Sequence, residues 1–244
     1  MDRFFAGPEG WGEGRLTLGI EESHHCMRVM RKRRGDLIEV FDGVGRWARG
    51  VIEGDDAGAV EVTFARSDRV LPRLPGIQLV VAVAKGKTMD LVVQKAVELG
   101  VDGIQPLLTE HTVVRLEADE GKRKTEKWQR VALESCKQCG QNIVPEVRPA
   151  VQWDQWMRER REDERPGLLA SLGKGAVPLK EALARLPEDP EGVDLVIGPE
   201  GDFSDREIEA AGEGKLQLVS LGPLTLRMET AVIYGLSVMG YELR

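Results

Sequence analysis

The sequence has few cysteines and no long apolar run. Its 244 residues include 3 cysteines, an odd number that is typical of reduced thiols rather than of a disulfide framework. Cys136 and Cys139 form a Cys-x-x-Cys pair, but there is no second pair to complete a tetrahedral zinc site, so we expect no metal. No stretch is long enough to cross a bilayer, and the opening Met-Asp-Arg-Phe-Phe lacks the apolar core of a signal peptide. We therefore expect a cytoplasmic protein without a membrane partner.

The chain also lacks an overall excess of positive charge. It has 34 Lys and Arg against 41 Asp and Glu, a net charge of −7, which argues against a protein that coats nucleic acid by electrostatics alone. One local cluster is nevertheless basic, and it consists of His24, His25, Arg28, Arg31, Lys32, Arg33 and Arg34. Such a cluster can hold phosphates while the rest of the surface stays acidic, although a solvated helix end has the same composition.

Two kinds of pattern divide the chain. The first 70 or so residues contain short alternating runs bounded by Asp-Gly and Gly-Asp turns, which is typical of a small β-barrel, and they include one helix near residues 23–30. Residues 71–76, Leu-Pro-Arg-Leu-Pro-Gly, are typical of a stiff linker. Beyond it, apolar strands alternate with amphipathic helices, which predicts an α/β domain with a parallel sheet. We therefore predict two domains, residues 1–72 and residues 76–244.

Two loops near the C-terminus carry most of the functional information. The first motif loop, residues 197–204, has the sequence Ile-Gly-Pro-Glu-Gly-Asp-Phe-Ser, and the second motif loop, residues 220–231, contains Gly-Pro followed by Leu-Thr-Leu-Arg-Met-Glu-Thr-Ala. Each follows a short apolar run typical of a buried strand. Glycine permits close backbone approach and proline stiffens a turn, so two such loops can face one ligand.

Both motif loops lead into predicted helices. Ser204 and Glu207 have the spacing of a capping box, which predicts a helix that begins at Asp205. Arg227 and Glu229 stand at the start of a helix predicted over residues 228–243. A fixed cation and a fixed carboxylate at the mouth of a pocket suit group transfer, whereas the alternative is that these are ordinary turns between strands and helices.

The position of the loops also points to a ligand. In open α/β sheets, ligands bind beyond the carboxyl ends of the strands. Three such ends are expected to converge here, at residues 172–173, 197–201 and 221–222. A Gly-x-Gly-x-x-Gly dinucleotide motif is missing, and the Lys-Gly-Lys-Thr of residues 85–88 has Val81 where a phosphate loop requires glycine. The sequence therefore disfavours both a dinucleotide enzyme and an ATPase.

At this level of detail the sequence resembles a known family. The shared motifs, in chain order, are Gly-Asp at 35–36, Phe-Asp-Gly at 41–43, Lys-Gly-Lys-Thr-Met-Asp at 85–90, Gln-Lys-Ala-Val-Glu-Leu-Gly at 94–100, Glu-Ser-Cys-Lys-Gln at 134–138, Val-Pro at 144–145, residues 197–204, and Leu-Arg-Met-Glu-Thr-Ala at 226–231. In these motifs the chain resembles the bacterial ribosomal RNA small subunit methyltransferase E family. That family belongs to the SPOUT class of methyltransferases that use S-adenosylmethionine.

The resemblance implies a fold, a cofactor and a substrate. It implies a PUA-like β-barrel that binds RNA, followed by a SPOUT-type α/β domain whose C-terminus forms a trefoil knot. It implies that the knot loops bind S-adenosylmethionine, that two subunits pair as a homodimer, and that the reaction is methylation of N3 of a uridine in 16S rRNA, within the small ribosomal subunit. The alternatives left open are a methyl transfer to a ribose 2′-oxygen or to another RNA, and a ribosome-binding module that has lost catalysis.

The resemblance also assigns roles to residues. For catalysis we expect Arg227 to stabilise the negative charge that develops on the uracil oxygens, and Glu229 to accept the N3 proton or to orient Arg227, with Glu200 as the rival base. The alternative for both glutamates is that each only caps a helix N-terminus. The expected cofactor-binding residues are Leu172, Gly173, Ile197, Gly198, Pro199, Glu200, Gly201, Ser220, Leu221, Gly222, Leu226 and Arg227. The expected RNA-binding residues are Arg3, His25, Arg28, Arg31, Arg33, Lys85 and Lys87.

Several positions depart from the family pattern. Asp202 stands where the family has the second glycine of Gly-Gly-Phe-Ser, Leu224 stands where it has arginine after Gly-Pro, and Gln141 replaces another arginine. The usual Ser-Glu-Arg segment is Thr-Glu-His at residues 109–111. These losses of arginine put the details of RNA contact in question more than the methyl transfer.

Overall fold

The computed structural model describes residues 1–56, 58–160 and 163–244. It divides into two compact units, one formed by Met1–Pro72 with Leu133–Val144 and the other by Arg73–Ala132 with Pro145–Arg244. The first unit therefore contains a segment, Leu133–Val144, that we expected in the second domain. The reason is that backbone groups of this segment bond to the first unit: the amide of Gly45 donates to the carbonyl of Asn142 at 3.1 Å.

The first unit is built on a mostly antiparallel sheet. Its strands are β1 (Arg3–Phe5), β2 (Arg15–Thr17), β3 (Leu37–Phe41), β4 (Arg46–Asp56), β5 (Ala59–Thr63) and β6 (Ser67–Arg69). They are ordered β1-β3-β4-β5-β2, with β6 on β4, and the β1-β3 pair is parallel. Alternate residues of these strands, among them Phe4, Leu16 and Ile38, form a buried apolar core. This agrees with the alternating pattern of the sequence.

One helix interrupts the strands of this unit. Helix α1 (Ile20–His24) continues directly into one π-helical turn, His25–Val29, in which the amide of Met30 donates to the carbonyl of His25 at 2.9 Å. The helix predicted near residues 23–30 is therefore present but starts earlier. Arg31 follows with a left-handed backbone, φ 54°.

The second unit has a wholly parallel sheet. Its strands are β7 (Gly76–Ala82), β8 (Gly103–Leu108), β9 (Glu146–Val147), β10 (Val151–Gln152), β11 (Gly167–Ala170), β12 (Val177–Pro178), β13 (Gly192–Ile197) and β14 (Leu216–Ser220). Their order is β10-β8-β7-β13-β11-β14-β12, with β9 on β8. Every residue of β13 is buried, as expected of a central parallel strand that is covered on both faces.

The helices follow the strands as the alternating pattern predicts. They are α2 (Thr88–Glu98), α3 (Ala118–Cys139), α4 (Trp153–Arg160), α5 (Leu179–Leu183), α6 (Asp205–Glu213) and α7 (Met228–Leu243). The bounds predicted for α7 and the start predicted for α6 are confirmed. Within the described residues, no helix is both long enough and apolar enough to span a bilayer. The trefoil knot that the resemblance implies stays a prediction.

The strand order of the sheet places the loops that follow β11, β13 and β14 side by side. Strands β13, β11 and β14 are consecutive neighbours and all run parallel, so their carboxyl ends lie at one edge of the sheet. Phe203 fixes the first motif loop to the interior, because its ring packs against that of Trp153 with centroids 5.1 Å apart. The expected convergence of three strand ends is therefore confirmed.

Candidate active site

A cleft lies at this edge of the sheet. Residues 170–172 line it from the end of β11 and the loop that follows, residues 197–200 and 202 from the first motif loop, and residues 221, 222 and 224–226 from the second motif loop. Residues 228 and 231, in the first turn of α7, complete the wall. Much of the lining is apolar side chain or main chain, and its charged members among the described residues are Glu200 and Asp202.

Most of the expected cofactor-binding residues line the cleft. Those that do are Leu172, Ile197, Gly198, Pro199, Glu200, Leu221, Gly222 and Leu226. The remaining four, Gly173, Gly201, Ser220 and Arg227, are outside the lining, although each is a direct sequence neighbour of a residue within it. Eight of the twelve expected residues therefore lie in the lining, and the other four lie one residue away from it in the sequence.

Two of the residues outside the lining shape the loops. The Oγ of Ser220 accepts a hydrogen bond from the amide of Gly222 and donates one to the carbonyl of Gly222, both at 3.2 Å. In the same way, the Oγ of Ser171 accepts from the amide of Gly173 at 3.0 Å. Such local bonds from serine to the main chain hold a turn in one conformation.

Two glycines of the motif loops are required by the geometry. Gly222 has φ 122°, a backbone conformation that other residues rarely adopt. Gly198 lies against the ring of Phe203, so that a Cβ at this position would approach the ring carbons to 2.8 Å. The first motif loop can therefore lie directly on its anchoring aromatic ring only because position 198 has no side chain.

Seven lining residues were not among the expected cofactor-binding residues. They are Ala170, Ser171, Asp202, Leu224, Thr225, Met228 and Ala231. Met228 and Ala231 are three residues apart on α7 and both are buried, so helical spacing was the signal that could have found them. Ala170 and Ser171 simply precede Leu172 at the end of a strand.

Asp202 joins two walls of the cleft. Its backbone is left-handed, with φ 59°, a conformation that aspartate tolerates better than most residues. Its Oδ2 accepts a hydrogen bond from the amide of Leu172 at 3.1 Å, and its Oδ1 accepts one from the amide of Phe203 at 2.8 Å. The position at which the chain departs from the family pattern therefore holds a carboxylate that connects the loop after β11 to the first motif loop.

His111 contacts the same loop from the other side. Its Nδ1 lies 2.9 Å from the carbonyl oxygen of Asp202 and 3.1 Å from that of Gly201. The hydrogen bond to the Asp202 carbonyl, assisted by the one to Gly201, raises the pKa of His111. The histidine that replaces the family's arginine thus supports the turn of the first motif loop.

Glu207 makes a second connection between the loop after β8 and the first motif loop. Its Oε2 accepts from the amide of Ser204 at 2.9 Å, and the Ser204 side chain accepts from the amide of Glu207, which completes the predicted capping box. Its Oε1 accepts from the amide of Glu110 at 2.9 Å. Glu207 is buried, so these bonds are partly shielded from water.

The expected catalytic residues lie at the rim of the cleft. Arg227 is exposed and occupies the N-cap position of α7, and Glu229 is half-buried in the first turn of that helix. Glu200 is exposed and lines the cleft. In the described part of the chain, Arg227 and Glu229 form no ion pair with each other, so the structure gives no support to Glu229 as the residue that orients Arg227. The position of Glu229 also satisfies the alternative role, favourable interaction with the helix N-terminus.

Arg3 requires a correction. We expected it to contact RNA, but its side chain is only 8% exposed and its Nε lies 2.8 Å from Oε1 of Glu39, its direct partner on the neighbouring strand. Its Nη1 also donates to the carbonyl of Cys136 at 2.7 Å. The guanidinium is thus used within the first unit, where it holds the segment Leu133–Val144 to the sheet.

The other expected RNA-binding residues differ in exposure. Arg28, Arg31 and Arg33 are exposed in the first unit, and Lys85 and Lys87 are exposed in the loop after β7 of the second unit. His25 is half-buried, and its ring packs edge-on against Phe4 with centroids 6.1 Å apart. The three arginines and two lysines are therefore available to phosphates, whereas His25 has a packing role.

Comparisons with known proteins agree with this geometry. The family described as RNA methyltransferase domain matches residues 72–240, and that described as RNA methyltransferase PUA domain matches residues 19–65. Fold and cleft therefore define the class as RNA methyltransferases with an N-terminal PUA domain. The ribosomal RNA small subunit methyltransferase E of Synechocystis sp. is 30% identical over 229 residues, which cover 94% of this chain and 74% of that protein.

Solved structures give the same result. A candidate methyltransferase from Legionella pneumophila, in complex with the bound cofactor SAM, has a TM-score of 0.87 and 34% identity. The ribosomal RNA small subunit methyltransferase E from Neisseria gonorrhoeae, bound to S-adenosylmethionine, has a TM-score of 0.86 and 29% identity, and each match covers 98% of this chain and 96% of the other. The chain belongs to the ribosomal RNA small subunit methyltransferase E family.

Proposed function

We propose that this protein transfers the methyl group of S-adenosylmethionine to N3 of a uridine in the 16S rRNA of the small ribosomal subunit. The observation that carries the proposal is the cleft itself, in which three loops at one sheet edge combine apolar walls, main-chain groups and carboxylates. Two relatives with TM-scores of 0.86 and 0.87 were solved with this cofactor bound. The family's name supplies the small-subunit rRNA, and the N3 position comes from the sequence resemblance.

The residues of the cleft fit this cofactor. Apolar side chains such as Leu172, Leu226 and Ala231 suit the faces of an adenine ring, since ligand pockets combine apolar surface with a few polar groups. The carboxylates of Glu200 and Asp202 suit a ligand that carries positive charge and hydrogen-bond donors. When it is bound, S-adenosylmethionine supplies an electrophilic methyl group on a sulfonium.

The protein must manage a proton and a negative charge. Uracil N3 carries a proton, and its removal spreads negative charge onto the two carbonyl oxygens of the ring. We assign Arg227 to this charge, because a preorganised cation at the developing oxyanion lowers the barrier. We assign the proton to Glu229, with Glu200 as the competing acceptor. Both carboxylates are at least partly open to solvent, so either could pass the proton to water.

RNA contact is assigned to Arg28, Arg31 and Arg33 in the first unit and to Lys85 and Lys87 in the second. Exposed cations hold phosphates and position the RNA without reading its sequence. Replacing Arg31 and Arg33 together with alanine should weaken RNA binding and reduce its salt dependence, while cofactor affinity is unchanged. An unchanged salt slope would show that these arginines do not contact phosphates.

We also propose that the protein acts as a cytoplasmic homodimer. The supporting observation is that α7 exposes the apolar or aromatic side chains of Ile233, Tyr234 and Tyr241, the last of them 86% exposed. Light scattering on the purified protein measures the mass directly. A monomer at micromolar concentration would contradict this proposal.

Mass spectrometry of 16S rRNA from a strain that lacks this gene tests the function. We expect N3-methyluridine at one position to disappear and to return when the wild-type gene is restored. An Arg227→Ala gene should not restore it. Persistence of N3-methyluridine would refute the proposal, and loss of a ribose 2′-O-methyl group instead would favour the other enzymatic alternative. An unchanged RNA combined with a protein that does not bind cofactor would indicate a degenerate ribosome-binding module.

A further inference from the structure

We infer that Asp202 makes the cleft select its ligand by charge, so that it favours the cationic S-adenosylmethionine over the uncharged product S-adenosylhomocysteine. The inference rests on the proposed function, because it concerns the cofactor of that reaction. Asp202 stands where the family pattern has glycine. Asp202 is therefore a specificity-determining residue of this chain.

The carboxylate of Asp202 is fixed in place. The amides of Leu172 and Phe203 donate to its two oxygens, and its own amide donates to the carbonyl of Pro199 at 3.0 Å. The imidazole of His111 holds the Asp202 carbonyl on the opposite side. These bonds involve four residues in three segments of the chain, so they hold Asp202 in place when a ligand enters.

The charge is also not cancelled within the cleft. The hydrogen-bond donors that reach the Asp202 carboxylate are neutral amides, and within residues 1–56, 58–160 and 163–244 no ion pair joins it to a lysine, arginine or histidine. No lysine, arginine or histidine of those residues lines the cleft, whereas Glu200 adds a second carboxylate. The described lining of the cleft is therefore anionic, and the neighbouring cationic side chains Arg227 and His111 lie outside it.

Cofactor and product differ in charge by one unit. The sulfonium gives S-adenosylmethionine one net positive charge, and loss of the methyl group leaves a neutral thioether. Coulomb attraction acts on the first ligand and not on the second, whereas contacts with adenine, ribose and the amino-acid end are common to both. At several ångströms in a partly exposed cleft, the attraction between two unit charges corresponds to about a tenfold difference in affinity.

The hydrogen bonds of the Asp202 carboxylate also limit which main-chain groups can bind a ligand. The amide of Leu172 is already bonded to Asp202, so it is not free to donate to a ligand. The remaining lone pairs of the Asp202 carboxylate accept hydrogen bonds instead. The wall therefore favours ligands that carry positive charge or donor groups.

Calorimetry with the full-length protein tests the inference. The affinities for S-adenosylmethionine and S-adenosylhomocysteine are measured for the wild type, Asp202→Gly and Asp202→Asn. We expect the ratio of the two affinities to fall about tenfold in both variants, mainly through weaker binding of S-adenosylmethionine. Asp202→Gly restores the family residue and suits the left-handed backbone, so it provides the test even if Asp202→Asn does not fold.

The matched control is Asp205→Asn. Asp205 is exposed, lies three residues away and is outside the cleft lining, so this variant makes the same change in net charge and should leave the ratio unchanged. The inference is overturned if the Asp202 variants bind both ligands with the wild-type ratio, or if they weaken both equally, since Asp202 then only shapes the loop. A wild-type protein that binds neither ligand would overturn the proposed function itself.

Discussion

Removing the side chain of Glu207 should destabilise the protein and loosen the cleft together. Glu207→Ala removes the acceptor for the amide and the hydroxyl of Ser204 and for the amide of Glu110. Ser204 keeps its role as the N-cap, so the loss is that of the three bonds themselves, each of which contributes about 0.5–1.5 kcal/mol. Because Glu207 is buried and its three bonds are partly buried, water replaces the lost acceptors only in part, and we expect a total loss of about 2–4 kcal/mol.

Urea unfolding followed by circular dichroism measures this loss. The matched control is Glu209→Ala on the same helix, since Glu209 is exposed and should change stability by less than about 0.5 kcal/mol. Glu207→Gln keeps one acceptor oxygen and should lie between the wild type and Glu207→Ala. A Glu207→Ala protein within about 0.5 kcal/mol of the wild type would refute the reasoning, because the three bonds could then not contribute as the structure requires.

Three further results are expected. Asp194→Asn should cost about 3–5 kcal/mol in urea unfolding, because Arg160, which pairs with Asp194, would keep a buried charge without its partner; a loss below 1 kcal/mol would contradict this. The pKa of His111 is raised in the folded protein. Its contact with the first motif loop therefore stabilises the fold below the ordinary pKa of about 6.5, and this stabilisation is lost as the pH rises through the higher pKa of the folded state. Replacing His111 with glutamine should flatten that part of a plot of unfolding free energy against pH. Iodoacetamide at pH 8 should modify the exposed Cys139 first, while burial raises the pKa of the Cys136 thiol to about 12 and protects it, as peptide mass spectrometry can show.

Local signals predicted the helix ends of the site correctly. The capping box of Ser204 and Glu207 is contained within four residues, and both of its hydrogen bonds form. The bounds of α7 also followed from the sequence, since the apolar run of Met228–Leu243 is uninterrupted by proline. In both cases the signals that set the helix ends lie close together in the sequence, so they can be read without knowledge of the fold.

Contacts between distant residues were not predictable in this way. Arg3 has the composition of a phosphate contact, but the parallel pairing of β1 with β3 sets it opposite Glu39, and it is only 8% exposed. The bond from the amide of Leu172 to Asp202 joins residues 30 positions apart. Neither contact leaves a periodic or local signal, because each depends on which strands become neighbours in the folded sheet.

Asp202 shows why such contacts change a functional argument. In the sequence, an aspartate in place of a glycine suggests a cofactor loop that has degenerated, since the replacement adds charge and disfavours a left-handed backbone. In the structure, the backbone at this position is left-handed all the same, and the carboxylate is satisfied by two amides that a glycine would leave without this acceptor. The replacement therefore has the features of a working part of the cleft, and it gives no support to loss of catalysis.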